Sequence, residues 1–343
     1  MASVKDVLTS RCQLCSATSG TLLQCAGCHA VCYCGREHQT SDWNAHKRFC
    51  TPIKRAEAKL AHEEQRLREW PEDDFMTPTP VFEEGEGHFW GILETRDYMR
   101  ARIDLQLKLS FVQTRESVES QLAHLRDMLR LCRGDNLGVR DIVPGLYLRL
   151  HRDQECYDFL KWYATEGSRG DYDWGDIELP FLNLVGEDVM EEPEVFVGRW
   201  ADAAHMIAVT LIKLRMLLDL KAVLAAEALR PRLHDDAVRE VQVATASRSG
   251  ILAERRQLLN PEGLEQRIGT LERQLKALYK GVQRANSHFW KALVRWDRYI
   301  NEAELPYTMG SREEMILLIK SSARSWAETE GALEWVRERV NAA

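Results

Sequence analysis

"CHAVCYCGREHQTSDWNAHKRFC" fills residues 28–50 and holds four cysteines and three histidines, directly after the pairs "CQLC" (12–15) and "CAGC" (25–28, which shares Cys28). Seven of the nine cysteines precede residue 51. Such clustering, in a chain that opens without an apolar leader, points to metal rather than disulfides. Four chelating half-sites can be read. Cys12-x2-Cys15 and Cys25-x2-Cys28 have the knuckle spacing that lets two thiolates reach one ion from a tight turn. Cys34-x3-His38 and His46-x3-Cys50 are i,i+4 pairs, which share one face of a helical turn. Eight donors make two closed Cys3His sites, and a closed site has no open position for water or substrate, so zinc here is structural. A segment of about 40 residues buries too little apolar surface to fold alone, and zinc supplies the deficit. Half-sites can be paired three ways, and spacing does not choose among them.

These residues closely resemble the MYND zinc finger. The family pattern has two CxxC pairs, an aromatic before a fifth cysteine, a sixth cysteine four further on, Gln, Trp four later, His-Lys and a final Cys. The resemblance covers Cys12 to Cys50, 39 of 343 residues. Two positions depart from it. His38 stands where the family has its sixth cysteine and remains a competent ligand; Gly35 replaces the usual serine, a change to a local turn. The resemblance implies interleaved sites: Cys12, Cys15, Cys34 and His38 on one ion, and Cys25, Cys28, His46 and Cys50 on the other. Cys32, at a variable position of the pattern, is then expected to bind no metal; its rival role is to stand in for His38. "CAGCH" also fits a c-type haem attachment pattern, but covalent haem needs an export context that the N-terminus does not suggest.

Gln39 and Trp43 are i,i+4 neighbours. In the resembling family these positions line a shallow groove for short proline-containing peptides. An indole face suits a preformed extended ligand, and a glutamine amide can bond its backbone. Trp43 can equally pack between the metal sites, and the two roles are compatible. For Tyr33 the expectation is packing.

The net charge is −7, and residues 1–50 carry five basic against three acidic side chains. Binding to a polyanion needs a basic face, so direct nucleic-acid binding is not expected. The longest uncharged apolar run, "AAHMIAVTLI", is ten residues, against about 20 for a membrane span. Cytoplasm or nucleus is the expected location.

The domain expectation is a finger at 1–51, a helical and Pro/Gly linker at 52–90, and an all-α domain at 91–343. Lys54–Trp70 reads as an exposed helix, and "WPEDDFMTPTPVFEEGEGHFWG" (70–91), with three prolines and three glycines, as the boundary. Helices are predicted at Thr95–Phe111 and Glu116–Cys132. Two more fall within 134–164, with Pro144 kinking the first or marking its start. That stretch looks like one degenerate tetratricopeptide-type unit. It is also similar to the segment after the finger in fungal MYND-finger proteins, a likeness that implies no known activity. No 34-residue period recurs.

Residues 166–196 hold ten acidic side chains and one arginine. Asp171, Asp173 and Asp176 mimic a calcium loop, but Asp176 sits where glycine is required and Leu182 where a bidentate Glu is required. A solvated acidic loop anchored by Trp174, Phe181 and Leu184 is expected instead. Arg199–Leu229 reads as a long helix with a stripe of Trp200, Ala204, Ile207, Leu211, Leu214 and Leu218. From Asn260-Pro261, a 4-3 repeat from Leu264 to Tyr299 predicts a heptad-patterned helix over 261–300. Its flanks are not systematically charged, so packing against the Arg199 helix or a final helix (Arg312–Val340) is favoured over a dimer, and a monomer over a coiled-coil pair. Cys132 and Cys156 read as inert buried thiols.

The fold class is thus a small two-zinc finger followed by a mainly α-helical, bundle- or tetratricopeptide-like domain. The favoured function is a zinc-binding, non-enzymatic adaptor that captures a partner's short proline-rich motif. A transcription- or chromatin-associated regulator recruiting partners through the finger is the alternative. A divergent MYND-SET lysine methyltransferase ranks below both, since neither an Asn-His-Ser-Cys nor a Gly-Glu-Glu-Leu-like stretch is present and SET is a β-rich fold. No G-x-S-x-G or Walker A occurs, "HEEQR" lacks a zincin's second histidine, and "GEGHFWG" does not follow a strand.

Overall fold

A computed structural model describes residues 8–72, 76–198, 201–228 and 248–342. The chain forms two compact units.

The first unit comprises Leu8–Leu146 and Asp173–Pro180. It begins with a small antiparallel hairpin, β1 (Leu23–Gln24) and β2 (Cys32–Tyr33), with Leu23 opposite Tyr33 and Gln24 opposite Cys32. Helix α1 (Arg36–Arg68) follows and runs from the finger to Arg68 as one element of 33 residues, with Pro52 inside it. A proline in a helix interior removes one backbone donor. The remaining ladder holds, because Ile53, Ala56, Leu60 and Leu67 are buried on one face, where α1 packs against α3 (Arg96–Leu109). Each large side chain so buried contributes roughly 1.5–3 kcal/mol. The stretch expected to be an exposed helix is therefore half-buried. Nor does 70–91 separate two units: α2 (Val81–Glu84) and the turns after it lie in the first unit. Its aromatic residues explain why. Phe82 and Phe89 pack on Tyr98 of α3 at ring distances of 5.2 and 6.1 Å, so the glycines and prolines there shape turns within a core. Helix α4 (Arg115–Leu131) packs on α3, with Thr114 capping it by accepting from the Ser117 N–H. Asp173–Pro180 is held by Arg133, whose guanidinium donates to the carbonyls of Asp176, Ile177 and Leu179.

The second unit comprises Tyr147–Tyr172 and the described residues of Phe181–Ala343. Helix α5 (Val143–Arg149) begins in the first unit and enters this one at Tyr147; Pro144 is in its first turn, where a missing N–H costs nothing, so it marks a start and not a kink. Then come α6 (Asp153–Ala164), α7 (Ala203–Glu227) and α8 (Gly250–Glu254). They are followed by α9 (Leu264–Ala285), α10 (Phe289–Leu293), α11 (Arg312–Ala327) and α12 (Ala332–Ala342). Helix α7 opens at Asp202, whose carboxylate accepts from the N–H groups of Ala204 and His205. Arg199, Trp200 and Leu229 lie outside the described residues. In place of one stripe, α7 buries every residue from Ala204 to Leu217, the signature of a central helix enclosed on all sides. Even Lys213 is enclosed; its ammonium donates to the Val189 and Glu191 carbonyls and to Gln274 Oε1 at 2.6–2.9 Å.

The heptad seam is real but shorter than expected. Leu264, Ile268, Leu271, Leu275, Leu278 and Val282 are buried on α9, which packs against α7. The helix starts after Gly263, whose φ is 73°, three residues beyond Asn260-Pro261. It stops at Asn286, which is extended and donates its amide to Ser311 O and Glu314 Oε2 at 2.9 Å. The final helix likewise divides in two at Gly331, in the left-handed region at φ 84°. In the acidic loop Phe181 packs on Trp162 at 5.0 Å. Asp171 pairs with Arg169, while Asp173 and Asp176 accept from the N–H groups of Gly175 and Glu178. No helix among the described residues is long and apolar enough to cross a membrane.

Candidate metal centre

The two knuckles adopt the same turn. Ser16 N–H donates to Cys12 O and His29 N–H to Cys25 O, both at 2.8 Å. The residue after each knuckle is left-handed, Ser16 at φ 60° and His29 at 53°. Strand β2 lies between the knuckles: Gln13 N–H donates to Cys32 O at 2.8 Å and Cys25 N–H to Val31 O at 2.9 Å. Cys34 lies in the turn just before α1, and the helix supplies the other donors, with His38 in its first turn, His46 about two turns on and Cys50 about one turn further.

This places Cys12, Cys15, Cys34 and His38 in one group and Cys25, Cys28, His46 and Cys50 in another, each with all donor atoms within 4.8 Å of one another. In the first group His38 Nδ1 lies 3.1 Å from Cys34 Sγ and 3.4 Å from Cys12 Sγ, and Cys15 Sγ lies 3.8 Å from Cys34 Sγ. In the second, Cys25 Sγ lies 3.8 Å from Cys50 Sγ, and Cys28 Sγ lies 3.5 Å from His46 Nε2. A zinc tetrahedron with Zn–S near 2.3 Å has an S···S edge of about 3.8 Å and an S···N edge of about 3.6 Å. Two Cys3His groups of this spacing fit zinc.

The histidines turn different nitrogens inward. His46 uses Nε2. His38, standing where the family has a cysteine, uses Nδ1, the ring nitrogen nearer the backbone and so closer in reach to the thiolate it replaces. Backbone N–H groups already favour a thiolate in each knuckle. For Cys12, burial alone raises the pKa, but donors from Cys15, Cys34 and Leu14 and the His38 ring outweigh it and bring it to about 5. Cys25 is lowered in the same way, burial being outweighed by the N–H groups of Gly27 and Cys28. Desolvation and neighbouring thiols push Cys34 and Cys50 up to about 11. Three thiolates this close are tolerable only around a dication. Burial lowers His46, keeping the neutral form that ligates.

Cys32 belongs to neither group. It is buried on β2, and burial together with Glu116 pushes its thiol up to about 12. Thr114 also donates its hydroxyl to the Ala30 carbonyl. The finger therefore sits on the start of α4, a contact the sequence does not announce.

A family model described as MYND finger matches residues 12–50. Residues 12–50 are a MYND finger. No curated protein and no solved structure matches the chain. The MYND finger is a protein-interaction module. Its two candidate contact residues lie on α1: Gln39 half-buried and Trp43 exposed by 45%. The Trp43 ring meets the His46 ring edge-on at 6.3 Å, so one side packs against the second group. Tyr33 is buried and donates its hydroxyl to Asp42 at 2.7 Å, as packing requires. Leu14 and Leu23 of the finger are also exposed, by 45% and 58%. Neither was singled out in the sequence, where the only signal is an apolar side chain beside a knuckle or on a two-residue strand.

Proposed function

We propose that the chain is a non-enzymatic adaptor, whose finger, braced by two structural zinc ions, captures a short proline-containing segment of a partner on Gln39 and Trp43. The observation that carries this reading is the half-exposed Trp43 ring, fixed from behind by a histidine of the buried donor group. A large apolar surface held rigid before binding loses little entropy on contact, as interface hot spots do. Zinc enters as a brace alone: both donor groups are complete without solvent or substrate, which leaves no open position for chemistry.

The test is a pulldown with the full chain and its Trp43→Ala variant, with zinc content measured in parallel. Loss of partners with zinc unchanged supports capture by the finger. Partners that persist unchanged through the substitution place binding on the helical body instead.

A further inference from the structure

The outer face of α1 carries a run of cations that neither the metal groups nor the packing of the helix accounts for. Lys47, Arg48, Lys54, Arg55 and Lys59 are all exposed, and among the described residues none forms an ion pair. Further along the same helix the pattern reverses, with Arg66 paired to Glu63 and Arg68 to Glu64 at 2.8 and 2.7 Å. The residues between the five on that face, Thr51 and Ala58, carry no carboxylate. Glu57 faces His29 at 3.7 Å. Charge near the thiolates explains Lys47 and Arg48 at most. Lys59 lies nine residues beyond the last ligand, Cys50, about 13 Å along a helix. In a chain of net charge −7, an unpaired strip of one sign is a field that gathers opposite charge.

Position adds direction. Gln39, Trp43, Lys47, Thr51, Arg55 and Lys59 follow one another at i,i+4 and so form one ridge of α1; Arg48 and Lys54 flank it. We propose that this ridge is a docking surface for an acidic peptide segment, continuous with the Trp43 contact. The proposal rests on the peptide-capture reading and extends it: the partner's proline motif is followed or preceded by a run of Asp, Glu or phosphorylated side chains. From Lys47 to Lys59 is about 18 Å, the length of five or six extended residues. An acidic peptide is favoured over nucleic acid because the strip is one helix ridge that begins at an indole shaped for an apolar anchor.

Two labelled peptides test this against the full chain by fluorescence anisotropy, one a short proline run followed by about six glutamates and the other with glutamines in their place. At low salt the glutamate peptide should bind about tenfold tighter, and the margin should shrink to about twofold at a few times that salt. The triple variant Lys47→Glu/Arg55→Glu/Lys59→Glu should abolish the margin and leave the glutamine peptide's affinity unchanged. Trp43→Ala should weaken both peptides by the same factor. Equal binding of both peptides, still sensitive to Trp43→Ala, would overturn the acidic partner while leaving proline capture intact. Binding of a proline-free glutamate peptide alone, lost in the triple variant, would support the ridge and sink the capture reading. A short DNA duplex that binds more tightly than the glutamate peptide and is lost in the triple variant overturns the proposal in favour of nucleic acid. So does a complete failure of all the acidic probes. The salt dependence is read on the unaltered chain, so it stands even if the triple variant folds poorly.

Discussion

The two donor groups of the finger are built from the same chemistry and live in different surroundings. In the second group all four donor residues, Cys25, Cys28, His46 and Cys50, are buried; in the first, Cys15 and Cys34 are exposed, His38 is half-buried and only Cys12 is enclosed. The knuckles show the reason. At the third position of the second knuckle stands Gly27, where an added Cβ would meet Cys50 Sγ at 3.0 Å. At the same position of the first knuckle stands Leu14, 45% exposed. The second knuckle is pressed onto α1, and α1 continues into the core it shares with α3. Identical ligand sets thus take different mechanical roles: one joins the finger to a helix that runs into the body, the other closes the finger's open edge.

The largest effect should come from the buried group. His46→Ala leaves three enclosed thiols without a complete dication site, and structural zinc contributes on the order of 10 kcal/mol to folding. The expected result is less than one zinc per chain and a melting transition of the first unit lowered by about 20 °C or more, read by metal analysis and circular dichroism; retention of two zincs would break the comparison. Next comes the pair Gly27→Ala and Leu14→Ala. The first should cost about 1–3 kcal/mol by overpacking against Cys50, and the second should stay within about 0.5 kcal/mol. Equal costs in denaturant titrations would mean that the knuckles are equivalent after all. A smaller difference should appear in kinetics. A chelator should strip zinc in two phases separated by about tenfold or more, with Cys15 and Cys34 alkylated in the fast phase. Labelling of Cys25 or Cys50 first would reverse the assignment. The smallest effect on the metal belongs to Cys32→Ala, which should keep both zincs and cost about 1–2 kcal/mol of packing between β2 and α4.

How much of this was legible in the sequence differs by region for physical reasons. Ligand spacing is a covalent property, so CxxC and i,i+4 pairs survive in the sequence as they stand in space. The interleaving of the groups does not follow from spacing; it follows from β2 lying between the two knuckles. In the body, periodicity located both ends of α3 and α4, and the start of α9, within a few residues. It misjudged the end of α9, which depends on partners far along the chain: Asn286 stops the helix by bonding Ser311 and Glu314. A helix enclosed on every side, such as α7, leaves no polar face to reveal its surroundings. The Pro/Gly stretch at 70–91 misled for another reason. Composition marks where the backbone turns, whereas Phe82, Phe89 and Tyr98 decide that those turns fold into a core.

Native mass spectrometry of the full chain and of His38→Ala tests the account most directly, because His38 is the donor residue by which the open group departs from the family pattern. Two zincs per chain are predicted for the unaltered protein. One is predicted for the variant, with Cys25, Cys28 and Cys50 still protected from alkylation. Two zincs in His38→Ala, accompanied by loss of one in Cys32→Ala, would contradict the assignment.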